Sequence, residues 1–454
     1  MAGILAGLGA WGFWILALAA FAGLFVLGRM NLPLWARVLI GLFAGGLLGY
    51  LFGETAAQAK PIGDAFVKLI RMLIVPLIFT TLTAGVIAMG DPKKLGSLGL
   101  RTILLYMATT VFAVTLGLIM AVIWRPGIGL DMEAGADAAS AAVTARLEAA
   151  AGAERTVVQQ LLDVIPANPL AAMVEGDILA VIFFSILFGV AILASGEGAR
   201  SIGRGIESAA EAILKLTGFV MALAPYGVFA LMAWVLGTQG LAVLVNLGKL
   251  AGALYLACAF QILFVYGFLV RVVLRLPFGR FLRGILDAMS TAYSTASSSA
   301  TLPVTISNVS RNLGVHKSVA GSVLPLGATI NMDGTSIYLG IVAVFAAQMV
   351  GIDLTLGQYV GIAVTATAAS IGAAGIPSAS LFLAVAVLQT FGVTIEQAVA
   401  VIALVFPFDR LLDMMRTTTN VTGDAAVATA VAKWEGELDE EVFRHGKVDA
   451  TVPA

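Results

Sequence analysis

The feature that most constrains this chain is a polar stretch that continues directly from an apolar run near its C-terminal end. Residues 398–406 are all apolar and are typical of a helix buried in a membrane. At about 100° per residue, the polar residues that follow share one helix face. They are Asp409, Asp413, Arg416, Thr417, Asn420 and Asp424. A charge at the centre of a bilayer costs about 2.5–3.5 kcal/mol, so a face of this kind predicts an ion or substrate site. The alternative, a solvated helix beyond the membrane, is disfavoured because the polar residues keep to one face.

Composition extends the membrane prediction to the whole chain. Of 454 residues, 60% are hydrophobic and 12% are charged, whereas soluble domains carry about 25% charged residues. The sequence therefore predicts an all-α, multi-pass protein of the cell inner (plasma) membrane. A net charge of −1 argues against a nucleic-acid partner. With Cys258 as the single cysteine and only two histidines, a thiolate or imidazole metal centre and a His-dependent triad are disfavoured.

Apolar runs predict the membrane-crossing helices. They cover residues 11–28, 34–53, 62–89, 101–124, 169–195, 206–236 and 242–272. For 11–28, a retained helix is favoured over a signal peptide, because no Lys or Arg precedes the run and no cleavage site is evident. Basic residues gather after the last of these runs, between Arg271 and Arg283, which predicts that this side is cytoplasmic. The Ala-rich residues 125–168, with scattered acids, are expected to form an exposed external segment.

The last half of the chain shows an internal repeat of about 80 residues. Each unit has a Ser/Gly-rich tip between short apolar arms, followed by a helix with a polar interruption. The arms and tips cover 285–310 and 358–392, and the first interrupted helix covers 318–350. This pattern predicts two re-entrant helical hairpins related as inverted repeats, which is typical of the binding region of secondary transporters. The alternative for 285–310 is an ordinary cytoplasmic Ser-rich loop.

The residue types on the polar face suggest two ligands. Arg416 is a planar cation suited to a carboxylate, and Asp413, one turn away, can accept an ammonium group. A ligand that carries both groups is an acidic amino acid. Asp333 and Asp424, with nearby Asn side chains and backbone carbonyls, offer hard oxygen ligands that suit an alkali cation better than a transition metal.

Three motifs carry a resemblance to a known family. They are Asn331-Met332-Asp333-Gly334-Thr335, Ser297-Ser298-Ser299, and the stretch Asp413 to Asp424. Over residues 33–433 the chain resembles the dicarboxylate/amino acid:cation symporters, the glutamate-transporter homologues. The resemblance implies a sodium-coupled symporter of L-aspartate or L-glutamate, and no enzyme. It implies eight family transmembrane helices, two re-entrant hairpins and an elevator motion in a homotrimer. The helix at 11–28 is additional to that plan.

The resemblance also implies roles for individual residues. Substrate would contact Ser298, Thr335, Ile376, Asp413, Arg416, Thr417 and Asn420. One sodium cluster would use Gly327, Asn331, Asn420 and Asp424. A second would use Tyr106, Thr109, Thr110, Asn331 and Asp333. A third would use mainly backbone oxygens at Thr329, Ser370, Ile371 and Ala373. Without the resemblance, the two threonines of the second cluster would be more simply explained as structural, because Thr hydroxyls bond back to helix carbonyls.

The family plan divides the chain into segments. These are an extra N-terminal transmembrane helix (1–32), scaffold helices (33–61, 62–90 and 169–240), a transport-domain helix (91–125), an external segment (126–168), the transport-domain core with both hairpins (241–432) and a cytoplasmic tail (433–454).

The chain departs from the family pattern at three positions. Relatives carry an additional arginine at the position of Ala296 or of Met414, so Asp413 is expected to lack its usual cationic neighbour. Leu339 stands where animal members have a glutamate associated with proton and potassium coupling, so potassium countertransport is not expected.

Three other functions remain as alternatives. A C4-dicarboxylate:cation symporter would leave Asp413 without an amine partner. An intramembrane aspartyl protease is disfavoured because the sequence contains no Gly-x-Gly-Asp. A pore-forming channel is a further option, as a side activity.

Overall fold

A computed structural model describes residues 9–30, 32–88, 92–130, 165–175, 177–371 and 378–448. The helices are α1 (Gly9–Arg29), α2 (Leu34–Phe52), α3 (Lys60–Ala88), α4 (Pro92–Trp124), α5 (Pro169–Glu175), α6 (Ile178–Ala194), α7 (Arg200–Met221), α8 (Ala224–Gln239), α9 (Ala242–Phe260), α10 (Phe278–Gly284), α11 (Leu286–Thr295), α12 (Ser298–Arg311), α13 (Lys317–Ile330), α14 (Asp333–Val350), α15 (Leu356–Ser370), α16 (Ala379–Gln389), α17 (Ile395–Glu435) and α18 (Glu440–His445). Within these ranges the only extended pairing is an isolated bridge between Val315 and Leu438. The all-helical prediction is confirmed.

Several helical stretches are long and apolar enough to cross a membrane. Among the described residues they are Gly9–Arg29, Leu34–Ile87, Gly99–Trp124, Val243–Val273 and Lys317–Val350. A sixth crossing results if Gly196–Met221 and Ala224–Thr238, bent by 50° at their junction, form a single span. The protein is therefore a multi-pass helical membrane protein, as its composition predicts.

Two of the predicted single helices are broken. The prediction of one helix over 169–195 is wrong, because the side chain of Asp177 accepts a hydrogen bond from the Ala180 amide and starts α6 as a new helix. The prediction of one helix over 206–236 is also wrong. Pro225 lies in the first turn of α8, where its missing N–H is tolerated, so α7 ends before it.

The N-terminal half packs around a glycine-lined contact between α2 and α8. A Cβ added at Gly49 would lie 2.5 Å from the carbonyl oxygen of Ala233, and Gly41 and Gly45 meet the α8 backbone in the same way. Small residues let two helix backbones touch, which is how helices gain packing energy in lipid. Helix α3 packs against α6, α7 and α8, and these helices with α2 form one group.

The C-terminal half forms a second group around α17. Helices α9, α11, α13 and α14 pack against α17, and α4 packs against α14. The residues predicted to form the first hairpin form two packed helices, α11 and α12, joined by Ala296 and Ser297. Ala296 adopts a left-handed conformation with φ of +50°, and the Ser297 side chain accepts a hydrogen bond from the Ala300 amide at 3.1 Å. A sharp reversal with a capped second helix follows.

The predicted interruption of 318–350 is confirmed. Helix α13 ends at Ile330 and α14 begins at Asp333, so Asn331 and Met332 are not helical. In the second repeat unit, α15 and α16 pack against each other. The tip between them, residues 372–377, lies outside the described residues, as do 131–164 of the predicted external segment.

The C-terminal tail is bound to the helix group around α17. The Asp439 amide donates to the Gly314 carbonyl at 2.9 Å, and the His316 amide donates to the Glu437 carbonyl at 3.0 Å. Phe443 on α18 is fully buried in a core shared with α12, α13 and α17. The tail therefore closes the end of this helix group.

We expect Phe443→Ala to release the tail. Truncating a buried phenylalanine costs about 3–5 kcal/mol, which exceeds what a few backbone hydrogen bonds of a short segment can offset. Limited proteolysis of purified protein should show faster cleavage near residue 436. The exposed Val448 offers a matched control, because Val448→Ala truncates a side chain that is outside the buried core. Equal cleavage rates for the two variants would contradict the docking role of Phe443.

Candidate functional site

The polar face of α17 lies inside the protein. Its six members are Asp409, Asp413, Arg416, Thr417, Asn420 and Asp424, and each is buried. Arg416 is the largest of the fully buried side chains. The solvated-helix alternative is therefore wrong, and the cost of burying these charges has to be offset by contacts within the site.

Arg416 is the centre of the first part of the site. Its Nη2 lies 2.8 Å from Asp409 Oδ1 and 3.0 Å from Asp413 Oδ1. The guanidinium carbon lies 4.0 Å from the centroid of the Tyr338 ring, a cation–π geometry. Its Nε and Nη1 are buried and have no hydrogen-bond partner among the described residues. Two donors, on opposite sides of the guanidinium, are thus available to ligand oxygens.

Asp413 connects this centre to the second repeat unit. Its Oδ2 accepts a hydrogen bond from the backbone amide of Ser378 at 2.7 Å, just before α16. The additional arginine of relatives is absent at Ala296 and Met414, but Asp413 has other positive charge near it. Arg416 forms an ion pair with it, and Arg410 lies close enough for electrostatic attraction to both Asp413 and Asp409. Positive charge near Asp413 is therefore supplied by Arg410 and Arg416.

A second part of the site surrounds Asp424. Asn331 Nδ2 donates to Asp424 Oδ1 at 3.0 Å and to the backbone carbonyl of Asn420 at 3.2 Å. Gly327 completes the group, since a Cβ there would lie 2.5 Å from the Tyr106 hydroxyl and would also meet the Asp424 carboxylate. The structure therefore brings together all four residues predicted for the first sodium cluster. It places Tyr106, which the resemblance assigned to the second cluster, beside them.

A third part of the site surrounds Asp333 at the start of α14. Its Oδ1 accepts from Thr110 at 2.9 Å and lies 3.4 Å from the Thr109 hydroxyl. Its Oδ2 accepts from Tyr266 at 2.7 Å and from Gln261 at 3.0 Å. The Thr109 hydroxyl, whose shortest acceptor is the Tyr106 carbonyl at 3.1 Å, also lies 3.4 Å from Asn331 Oδ1, so Asn331 stands between the Asp333 and Asp424 groups.

The two carboxylates differ in their remaining acceptor capacity. A carboxylate can accept about four hydrogen bonds. Among the described residues, Asp333 accepts three hydrogen bonds at 2.7–3.0 Å, from Thr110, Gln261 and Tyr266, whereas Asp424 accepts one, from Asn331. Asp424 therefore has oxygen lone pairs free for a hard cation, while coordination by Asp333 requires its hydroxyl neighbours to turn away.

Three more residues predicted to contact substrate are buried in the protein. Ser298 begins α12, Thr335 lies in the first turn of α14, and both are buried, as is Thr417. The Gly334 amide donates to Asn420 Oδ1 at 2.7 Å, which ties the turn that holds Thr335 to α17.

The predicted third sodium cluster is not assembled by contacts of the described residues. Thr329 donates to the Leu326 carbonyl and Ser370 to the Thr367 carbonyl, each within its own helix. Ile371 is partly buried against the core around α13. Ala373 and Ile376, the latter predicted to contact substrate, lie outside the described residues.

Sequence reasoning missed Gln261 and Tyr266. In an α-helix, residues five apart point about 140° away from each other. The chain beyond α9 is instead π-helical over Gln261–Tyr266, so residues joined by i→i+5 bonds lie nearly above one another. Both side chains reach the same oxygen of Asp333 for this reason. The signal available in the sequence was the presence of Gln261 and Tyr266 between apolar neighbours.

A buried polar site between interrupted helices of a multi-pass bundle defines a membrane transport protein. Comparison with known proteins specifies the family. The model of the sodium:dicarboxylate symporter family matches residues 34–434. The chain belongs to this family, which is one of transporters.

Relatives with similar identity carry different substrate names. The chain is 35% identical over 412 residues to a proton/sodium-glutamate symport protein of Bacillus subtilis (strain 168), covering 90% of this chain and 94% of the relative. It is 37% identical to a proton/glutamate-aspartate symporter of the same organism, covering 88% and 94%. It is 36% identical to a C4-dicarboxylate transport protein of Anaeromyxobacter sp. (strain K), covering 94% of each chain. Overall similarity therefore does not separate acidic amino acids from dicarboxylates.

We expect Gly327→Ala to disrupt the Asp424 group. The added methyl would meet Asp424 and the Tyr106 hydroxyl, and both are held in a packed interior. A cation that binds only the folded state raises the melting temperature, and the variant should lose the rise that sodium produces. Gly321→Ala in the same helix is the matched control, because a Cβ there meets nothing within 4 Å. A full sodium response in the Gly327 variant would argue against a cation beside this residue.

Proposed function

We propose that this protein is a secondary active transporter that couples sodium entry to the uptake of an acidic amino acid, L-aspartate or L-glutamate. The observation that carries the proposal is the state of Arg416. One of its nitrogens is held by two carboxylates, and two others are buried without a protein partner in the part of the chain that is described. Nε and Nη1 lie on opposite sides of the guanidinium, so two separate substrate oxygens, at least one of them from a carboxylate, would satisfy both and remove the cost of unpaired buried donors.

Asp413 favours a substrate that also carries an amine. Asp409, Asp413, Arg410 and Arg416 sum to zero charge; both carboxylates pair with Arg416, and Arg410 attracts them electrostatically from a greater distance. A C4-dicarboxylate would add two negative charges to this group and offer nothing to Asp413. An acidic amino acid adds one net negative charge and places its ammonium group against the Asp413 carboxylate. Electrostatics in a buried site therefore favours the amino acid.

Sodium coupling is supported by the contacts that join the two parts of the site. Asn420 accepts from the Gly334 amide through its side chain and from Asn331 through its backbone carbonyl. Gly334 lies between Asp333, a proposed cation ligand, and Thr335, a proposed substrate contact. A cation that positions Asn331 and Asp333 would thereby stabilise the substrate-binding arrangement of Thr335 and Asn420, and linkage requires the reverse to hold as well.

The proposal includes an elevator motion within a homotrimer. The group formed by α2, α3 and α6–α8 would be the scaffold, and α4 with the group around α17 would be the transport domain. A cavity of about 570 Å³ lies between the two, with Leu34, Val38 and Leu214 on the scaffold side and Asp409 and Ser378 on the transport side. Such a gap is compatible with sliding of one group past the other. The two helical hairpins, α11–α12 and α15–α16, would be re-entrant and would close the site.

Uptake into proteoliposomes tests this function. Purified protein is reconstituted, and radiolabelled L-aspartate uptake is measured under an inward sodium gradient, an inward proton gradient, or neither. L-Glutamate, succinate and neutral amino acids compete in parallel. We expect sodium-driven aspartate uptake that glutamate inhibits more strongly than succinate. Uptake driven by protons alone would reject sodium coupling. Stronger competition by succinate would favour a C4-dicarboxylate symporter, the function named for the Anaeromyxobacter relative.

A further inference from the structure

Arg410 links the last helix to the end of the first hairpin. Its Nη2 lies 3.4 Å from the carbonyl oxygen of Ser294 and 3.3 Å from that of Thr295. These are the last two residues of α11, immediately before the left-handed Ala296. Among the described residues, no other arginine or lysine contacts these two carbonyls.

The contact has a clear chemical basis. The last four carbonyls of a helix have no partner within it and carry partial negative charge, so a cation there is stabilising. A guanidinium reaches two adjacent carbonyls with one planar group. Arg410 therefore caps α11 from a different helix, and the cap connects the reversal at Ala296 with α17.

The same side chain balances the charge of the substrate centre. Asp409 and Asp413 together carry two negative charges, and Arg416 neutralises one of them. Arg410, one residue after Asp409, is close enough to be attracted electrostatically to both carboxylates without forming an ion pair with either, and it supplies the second positive charge. It lines the cavity of about 570 Å³ together with Ser294, Thr295 and Ser378. Arg410 thus stands between the open cavity and the buried centre.

We propose that Arg410 is a positioning residue that holds the carbonyl end of α11 over the site and keeps Asp413 oriented toward substrate. Asp413 accepts a hydrogen bond from the Ser378 amide, just before α16. Arg410 and Asp413 together therefore connect both hairpins to α17. Release of the Arg410 contact would let the end of α11 move toward the cavity. This role rests on the proposed transport function only for its second part, the orientation of Asp413.

Cysteine labelling tests the first part without transport. The only native cysteine, Cys258, is fully buried, and Ser294 is exposed to the cavity, so Ser294→Cys gives one reactive site. The rate of labelling by a polar maleimide is measured in Ser294→Cys alone and in Ser294→Cys combined with Arg410→Gln or with Arg410→Lys. Loss of charge-assisted hydrogen bonds should raise the rate by about tenfold in the glutamine variant, and lysine should restore it. An unchanged rate in Arg410→Gln, or equal rates in the glutamine and lysine variants, would overturn the proposal.

Transport kinetics tests the second part. In Arg410→Gln, the KM for L-aspartate should rise by about tenfold with a smaller change in kcat, because Asp413 loses a fixed counter-charge. Arg410→Lys should restore KM. Arg271→Gln removes an exposed arginine of the π-helical Leu269–Val273 segment and serves as the charge control. A wild-type KM in Arg410→Gln would overturn this part. If the wild-type protein takes up no acidic amino acid, the proposed function fails, while the labelling rates still decide the role of Arg410 at α11.

Discussion

Replacing Arg416 with lysine is expected to weaken L-aspartate binding by roughly 100-fold or more while the protein stays folded. Arg416 uses one nitrogen for Asp409 and Asp413 and leaves Nε and Nη1 for a ligand. Lysine keeps the charge but has a single nitrogen, which cannot serve the protein carboxylates and two separate substrate oxygens together. Two charge-assisted hydrogen bonds of about 1.5–3 kcal/mol each are lost. Isothermal titration of purified protein with L-aspartate in saturating sodium measures the change.

A charge-balanced variant separates binding from folding. Removing Arg416 alone strands two buried carboxylates, which costs about 3–5 kcal/mol and could unfold the protein. Asp409→Asn with Arg416→Gln removes one charge of each sign, so Asp413 remains opposite Arg410. We expect its melting temperature to lie closer to that of the wild type than the melting temperature of Arg416→Gln does, yet without measurable aspartate binding. Aspartate affinity at the wild-type level in Arg416→Lys would remove Arg416 from the substrate site.

The fold was predictable where local pattern and membrane burial agree. Long apolar runs predicted α1–α4 closely, and the polar, helix-disfavouring Asn331 correctly marked the break between α13 and α14. The break between α7 and α8 was missed, although Pro225 signalled it. Apolar side chains continue through that break, and hydropathy alone responds to burial rather than to helix direction.

The site was predictable where its members share one helix and less so where distant elements meet. The 3.6-residue period placed the α17 face correctly, because α-helical geometry alone decides which residues are neighbours. Gln261 and Tyr266 depend on a π-helical register that no period of 3.6 reveals. Arg410 and Ser378 were missed because their contacts reach over long sequence distances to α11 and α17, and only the packed structure determines them.

Asp333 and Asp424 accept different numbers of hydrogen bonds, so the same change from aspartate to asparagine should affect mainly stability at one position and mainly sodium affinity at the other. Asp424→Asn should raise the sodium concentration required for half-maximal aspartate binding by about tenfold or more, because a full negative charge beside the ion is lost. Its cost in stability should be small, since Asn331 Nδ2 can still donate to the remaining carbonyl oxygen. Aspartate titrations at a series of sodium concentrations, with melting temperatures of both proteins, measure the two effects.

Asp333→Asn is the matched comparison, and it should act mainly on stability. Thr110, Gln261 and Tyr266 all donate to the Asp333 carboxylate. An asparagine would turn an NH2 group toward at least one of these donors, and each buried donor left unsatisfied costs about 1–3 kcal/mol. The melting temperature should therefore fall further than in Asp424→Asn even without sodium. Sodium cannot restore it, because the lost hydrogen bonds are within the protein. If instead Asp333→Asn melts like the wild type and loses sodium affinity as strongly as Asp424→Asn, then Asp333 is a cation ligand of equal rank, and the hydroxyl groups around it turn away when the ion binds.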